Sequence, residues 1–195
     1  MGKRVGITGG IGAGKSAVSA YLRKAGETVL DADVFAREVV KPGNAGLSTL
    51  QERYGEGICH ADGTLNRAAL AEIVFSSEAE RTHINALLHP LIYARLEQEA
   101  AAFFAENPQR SLYFEIPLLI ETDMQDTMDE VWFVVAREDV RAARVVQRGN
   151  TTPEEAKKRI ASQLPQEEKL RYAHHVLDNN GSMEELWRQI DALRT

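Results

Sequence analysis

Val5-Gly6-Ile7-Thr8-Gly9-Gly10-Ile11-Gly12-Ala13-Gly14-Lys15-Ser16, followed by Ala17 to Lys24, decides the fold of this chain. Val5 to Thr8 reads as a short buried strand. Gly9 to Ser16 completes the pattern G-x-x-x-x-G-K-[ST], a phosphate-binding loop (P-loop). Ala17 to Lys24 reads as a helix with Val18, Tyr21 and Leu22 on its apolar side. Strand, glycine loop and helix in this order distinguish a phosphate site from a turn that merely joins two elements. Glycines let backbone amides curl around an anion without Cβ clashes. The helix start adds unpaired donors and a positive dipole end. Lys15 is placed to reach the β- and γ-phosphates, and the Ser16 hydroxyl to ligate Mg²⁺. The stretch implies a nucleoside triphosphate as ligand, with Gly10, Ile11, Gly12, Ala13, Gly14, Lys15, Ser16 and Ala17 as the binding residues.

The rest of the chain bounds what surrounds this loop. Its 195 residues suit one α/β core with a modest insertion. The formal charge is −6, and no basic block with interleaved aromatics points to nucleic acid. A phosphate site needs only local positive groups, so an acidic surface does not argue against one. The single cysteine, Cys59, allows no internal disulfide and fits a reducing cytoplasm. A signal-peptide pattern and a membrane-length apolar run are both missing from the sequence, so no membrane partner is expected.

Four further strands follow from apolar runs. Thr28-Val29-Leu30 is one, with Asp31-Ala32-Asp33 at its end. Ser111 to Phe114 is another and ends in Glu115. Glu130 to Val135 is apolar on both faces, as an interior parallel strand is. His175-Val176-Leu177 is the last, framed by His174. From about Glu38 to Glu106 the pattern is helical. Gly55 and Gly57 break one helix, Asp62-Gly63 marks a turn, and Asn66 caps the next helix. A long helix from Glu78 to Phe104 is bent or divided at Pro90. Such a stretch is too long for a simple crossover and reads as an inserted subdomain. Thr152-Pro153-Glu154-Glu155 and Ser182-Met183-Glu184-Glu185 are capping boxes that start two more helices. The expected fold is α/β: a doubly wound parallel five-stranded sheet. The core takes 1–37, 108–137 and 173–195, the helical insertion 38–107, and a lid 138–172.

Phosphoryl transfer needs a proton acceptor and positive charge around the transferring group. Asp31 and Asp33, two apart in an extended segment, point the same way. If their strand lies beside the first, at least one approaches the phosphates, and Asp33 is the candidate base. Its bland alternative is a helix N-cap. Glu115, an acid at a strand end, is a second candidate for metal handling. Arg141, Arg144 and Arg148 share one helix face after the fourth strand, where a lid would carry arginines onto the transferred group. Of these, Arg144 and Arg148 are the catalytic candidates, with Lys15 and Asp33. Neither His89 nor any other histidine has metal-ligand spacing.

Taken together, these residues resemble the dephospho-CoA kinase family. The resemblance runs from Gly9–Ser16 through Asp31-Ala32-Asp33 with Ala36-Arg37. It continues through Asp62-Gly63-Thr64-Leu65 with Arg67, Val74-Phe75, Asn85 and His89-Pro90. Pro117-Leu118-Leu119 with Glu121, then Arg144 and Arg148, then Asn179-Asn180-Gly181 complete it. The resemblance implies a nucleoside-monophosphate-kinase-like core that moves the γ-phosphate of ATP, with Mg²⁺, to the ribose 3′-hydroxyl of dephospho-CoA. Asp33 would be the general base. Residues 38–107 would bind the acceptor, and 138–172 would close as the lid. Arg37 and His89, with Asp33, become acceptor-side candidates, and Asn179 and Gly181 candidates near the adenine. Two positions depart from the family. Ala17 stands where threonine is usual, which leaves only its amide for an α-phosphate. Glu115 stands where aspartate is common.

Other P-loop functions fit less well. A nucleoside, nucleotide or shikimate-type kinase shares the core, but the insertion beginning just after Asp-Ala-Asp favours the first assignment. A GTPase-like switch would need an Asn-Lys-x-Asp guanine motif, which the sequence lacks. A mechanical ATPase would need more chain.

Overall fold

β1 (Arg4–Gly9) carries the first apolar run and sits at the centre of a five-stranded sheet of order β2-β3-β1-β4-β5. These are β2 (Val29–Asp31), β3 (Leu112–Glu115), β4 (Glu130–Val135) and β5 (His175–Asp178). A computed structural model describes residues 2–149 and 151–194, with the backbone alone at Phe75. β1 pairs in parallel with β3 and β4, and β4 in parallel with β5. The register sets Ile7 opposite both Glu115 and Trp132, and Gly9 opposite Val134. The phosphate loop therefore leaves the sheet at the carboxyl end of its middle strand, where open α/β sheets bind ligands.

The second strand does not lie beside the first: β3 intervenes. Burial explains the order. Every residue of β3 is buried, which suits an interior slot, whereas β2 has three residues, two of them only half-buried. Short, less apolar strands belong at sheet edges. β5, with one buried residue, takes the opposite edge.

α1 (Lys15–Lys24) and α9 (Met183–Leu193) cover one face of the sheet. Val18 and Leu22 of α1 and Leu186 and Ile190 of α9 pack with Val5, Ile7, Trp132, Val134 and Leu177. Each such aliphatic side chain contributes about 1.5–3 kcal/mol by leaving water. The Ser182 capping box starts α9 as the sequence predicts, and Tyr21 stacks on Trp187 with ring centroids 5.4 Å apart. β4 leads into α6 (Glu138–Arg148), α7 (Pro153–Ala161) with the Thr152 capping box, and α8 (Gln166–Lys169).

By its contacts the chain forms two compact units, Asp31–Ala102 and the remainder. The helical unit thus begins seven residues before the 38–107 stretch read from the sequence and ends five before its close. Its start falls at α2 (Ala32–Glu38), whose buried Ala32 and Phe35 make it part of the helical packing. The unit continues with α3 (Ala45–Tyr54), α4 (Arg67–Ser76) and α5 (Glu78–Glu106). Asn66 caps α4 through the Ala69 amide. Between α3 and α4, Cys59 bridges Leu65 across a turn in which Asp62 accepts from the Thr64 amide and hydroxyl. α5 runs through Pro90 as one helix rather than dividing there. Ile84, Ile92, Leu96 and Ala100 form one buried stripe on both sides of Pro90, and that packing outweighs the one amide that proline lacks.

Candidate functional site

The phosphate loop is held by side chains from far along the chain. Lys15 Nζ donates to the Gly9 carbonyl at 2.8 Å and the Gly10 carbonyl at 3.2 Å. Arg141 Nε donates to the Ile11 carbonyl at 2.9 Å. Arg144 Nη1 reaches the carbonyls of Gly12 at 3.4 Å and Ala13 at 3.2 Å, and its Nη2 the Asn179 carbonyl at 3.0 Å. Asn179 Nδ2 donates to the Ala13 carbonyl at 2.7 Å. The carbonyls of Gly9, Gly10, Ile11, Gly12 and Ala13 are thereby all neutralised by donors. An anion approaching the loop meets amides and a lysine instead of carbonyl oxygens.

Two glycines are required by this grip. Gly14 caps α1 with φ 107°, and a Cβ there would stand 2.0 Å from Asn179 Nδ2. Gly12 has φ 77°, and a Cβ would meet the Arg141 carbonyl at 2.5 Å, so the backbone of α6 lies directly on the loop. Both positions combine a left-handed backbone with a close approach, which no L side chain accommodates.

The amides of the loop are divided. Ala13 N–H closes a turn on the Gly10 carbonyl at 3.1 Å, Ala17 N–H donates to the Gly14 carbonyl at 3.0 Å, and Ile11 N–H donates to Gln163 Oε1 at 2.8 Å. The first amides of any α-helix lack intrahelical partners, so the amides at the start of α1, around Lys15 and Ser16, are among the donors left for phosphate. Ser16 is exposed at this helix start, and Arg148 Nη2 lies 3.5 Å from its hydroxyl oxygen. Ser16 and the Glu115 carboxylate at the end of β3 are oxygen ligands of the kind Mg²⁺ takes. Asn179 is 2 % exposed, and its Oδ1 has no hydrogen-bond partner among the described residues. Gly181 leaves room for the second capping box, since a Cβ there would meet Glu185 Oε2 at 2.0 Å.

The three arginines read from one helix face all lie against the loop. Arg141 was the one without a catalytic assignment, yet it is the most deeply placed, 7 % exposed. Burial pulls its guanidinium down from its ordinary value. Gln163 carried no signal in the sequence: a lone glutamine between two helices has no motif to mark it.

In the helical unit, the acceptor-side candidates follow local rules. Asp31 caps α2 by accepting from the Asp33 amide at 2.9 Å. The cap considered for Asp33 therefore belongs to Asp31, and Asp33 sits exposed in the first turn. Arg37, one turn on, shares its helix face. His89 lies on α5 with its ring 5.6 Å from that of Tyr93, and burial lowers its pKa. Glu38, Val39, Lys41, Asn44, Gly46 and Arg95 border a cavity of about 450 Å³ in the same unit. No helix among the described residues is long and apolar enough to cross a membrane.

Comparison with known proteins bears on this geometry. The family described as CoaE, dephospho-CoA kinase, matches residues 3–185. A dephospho-CoA kinase of Thermosynechococcus vestitus is 46 % identical over 189 residues, 96 % of this chain and 91 % of that protein. One from Staphylococcus saprophyticus is 38 % identical over 193 residues, 99 % and 93 % of the two chains. A crystal structure of a Thermus thermophilus protein superposes with a TM-score of 0.82 at 34 % identity, covering 98 % of this chain and 96 % of that one.

Proposed function

Since the chain belongs to the dephospho-CoA kinase family, which catalyses the final step of coenzyme A biosynthesis, we propose that it phosphorylates the ribose 3′-hydroxyl of dephospho-CoA with ATP. The single observation that supports this best is the loop whose carbonyls from Gly9 to Ala13 are all taken by Lys15, Arg141, Arg144 and Asn179. Such a loop is pre-formed for a polyphosphate before the ligand arrives.

In the proposed division of labour each segment has its own task. Residues 1–37, 108–137 and 173–195 bind the nucleotide, 38–107 the acceptor, and 138–172 close over both. The amides at the start of α1 bind phosphate oxygens. On ATP binding Lys15 exchanges the Gly9 and Gly10 carbonyls for the β- and γ-phosphates. Asn179 Oδ1, buried and without a hydrogen-bond partner among the described residues, would accept from a donor of the bound nucleotide, with Gly181 two residues on. Asp33 accepts the proton of the 3′-hydroxyl as that oxygen attacks the γ-phosphorus. The bond from γ-phosphorus to the bridging oxygen breaks, ADP leaves, and the proton passes from Asp33 to solvent. Arg144 and Arg148 neutralise charge on the transferring group, while Arg37 and His89 hold the acceptor. The Ser16 hydroxyl would hold Mg²⁺, which would supply positive charge to offset that of the phosphates. The reducing cytoplasm is the setting in which the lone Cys59 is at home.

The test is coupled ADP release with MgATP and dephospho-CoA, alongside adenosine, AMP, CMP and shikimate. Mass spectrometry of the product should show one added phosphoryl group. Turnover on another acceptor with none on dephospho-CoA would keep the phosphate site and overturn the acceptor assignment.

A further inference from the structure

Ile11 is gripped at both ends of its peptide functionality. Its carbonyl accepts from Arg141 Nε at 2.9 Å, and its amide donates to Gln163 Oε1 at 2.8 Å. The two side chains come from 130 and 152 residues away, on opposite sides of α7. We propose that Gln163 is a positioning residue for the phosphate loop, fixing the Ile11 amide outward so that the amides at the start of α1 converge on the phosphates. The proposal rests on the loop being the ATP site.

Three features support this. Gln163 lies in the short link between α7 and α8, and the link is itself anchored. Its amide donates to the Ile160 carbonyl at 3.3 Å, and the Ser162 hydroxyl donates to the Arg159 carbonyl at 2.9 Å. Beyond the link, Lys169, 1 % exposed, pairs with Glu121 in the loop after β3. A side chain carried on a tethered link holds its partner at less entropic cost than one on a mobile loop. Second, the chemistry of the acceptor fits an anion site. The neutral amide oxygen of glutamine holds an N–H as well as a carboxylate would, without placing negative charge beside a triphosphate. Third, α6 presses its backbone onto Gly12 next door and its Arg141 onto the Ile11 carbonyl, while the α7–α8 link brings Gln163 to the Ile11 amide, so both segments act on the loop at Ile11. Ile11 contributes shape to the site rather than a phosphate contact.

The experiment compares Gln163→Leu and Gln163→Glu with the parent enzyme. Removing the acceptor in Gln163→Leu should raise KM for MgATP roughly five- to tenfold, the worth of one well-aligned hydrogen bond, with KM for dephospho-CoA and Tm unmoved. Amide hydrogen exchange at Ile11 should speed up in the same variant. Gln163→Glu should keep Ile11 protected yet raise KM for MgATP at low salt, an effect that fades as ionic strength rises. An unchanged KM for MgATP in Gln163→Leu overturns the proposal. So does a rise in both KM values in step with a fall in Tm, which would mark a purely structural role. Should Gln163→Leu not fold, the salt-dependent KM and Ile11 protection of Gln163→Glu decide instead. Lys15→Ala separates the two readings: if it still binds ATP, the loop assignment itself is wrong. Loss of ATP binding in Lys15→Ala with normal binding in Gln163→Leu would overturn only the positioning role.

Discussion

The phosphate loop and the first turn of α2 carry the two charged partners of the proposed reaction, Lys15 and Asp33, and they are built by opposite means. The loop takes its shape from side chains more than 100 residues away: Arg141, Arg144, Gln163 and Asn179 all converge on Gly9–Gly14. The turn at α2 takes its shape from two residues, Asp31 and the Asp33 amide it caps. The loop is thus fixed by tertiary packing, while Asp33 and Arg37 stand exposed on an ordinary helix. The contrast teaches that anion binding by backbone demands rigidity, because a loop that relaxed would turn its carbonyls back toward the phosphate. A carboxylate that accepts a proton needs only a defined place on an element.

The largest effect that tests this contrast is expected from Lys15→Ala. Loss of the one cation built into the loop should lower kcat/KM by at least about a thousandfold, with Tm nearly unchanged. Turnover within tenfold of the parent would remove the loop from the chemistry. Asp33→Asn comes next: kcat should fall by roughly 10²–10⁴ while ATP affinity stays within about twofold, because a general base acts in the transition state and not on the nucleotide. If ATP affinity collapsed and the chemical step survived, Asp33 would instead belong to a metal or structural site.

Gly14→Ala should destabilise the fold by about 1–3 kcal/mol and weaken ATP binding, since its Cβ collides with Asn179 at a left-handed position. Gly26→Ala is the sharpening control, with φ +86° but nothing within 4 Å of its Cβ. It should cost only the backbone strain and leave ATP binding alone. Equal losses in the two variants would mean that the contact with Asn179 contributes nothing.

The smallest effect concerns His89, in the helical unit. Burial holds its pKa below the ordinary 6.5, so in the unfolded chain the imidazole takes up its proton first as pH falls. Stability is therefore expected to decline on acidification through and below about pH 6.5. His89→Gln should make the Tm against pH curve shallower there, and an unchanged slope would show that His89 does not govern it.

Much of this was legible in the sequence because it obeys short-range rules. The loop motif, both capping boxes, the Asn66 cap and the apolar β4 depend on residues within a few positions of one another. The order of the strands was not legible. That β3 rather than β2 adjoins β1 follows from which strand buries all its residues, a comparison made across the whole sheet. Nor was the continuity of α5 through Pro90, where a local breaker loses to a long buried stripe.

What the sequence determined by itself was the presence of a phosphate loop between strand and helix, the identity of the charged residues, and the family to which they belong. Only the tertiary structure decided that Asp31 and not Asp33 is the cap, that Arg141 is buried against Ile11, and that Gln163 holds the Ile11 amide. The physical reason is distance along the chain. A cap or a capping box is a hydrogen bond between near neighbours and leaves a spacing in the sequence, whereas a glutamine 152 residues from its partner leaves none.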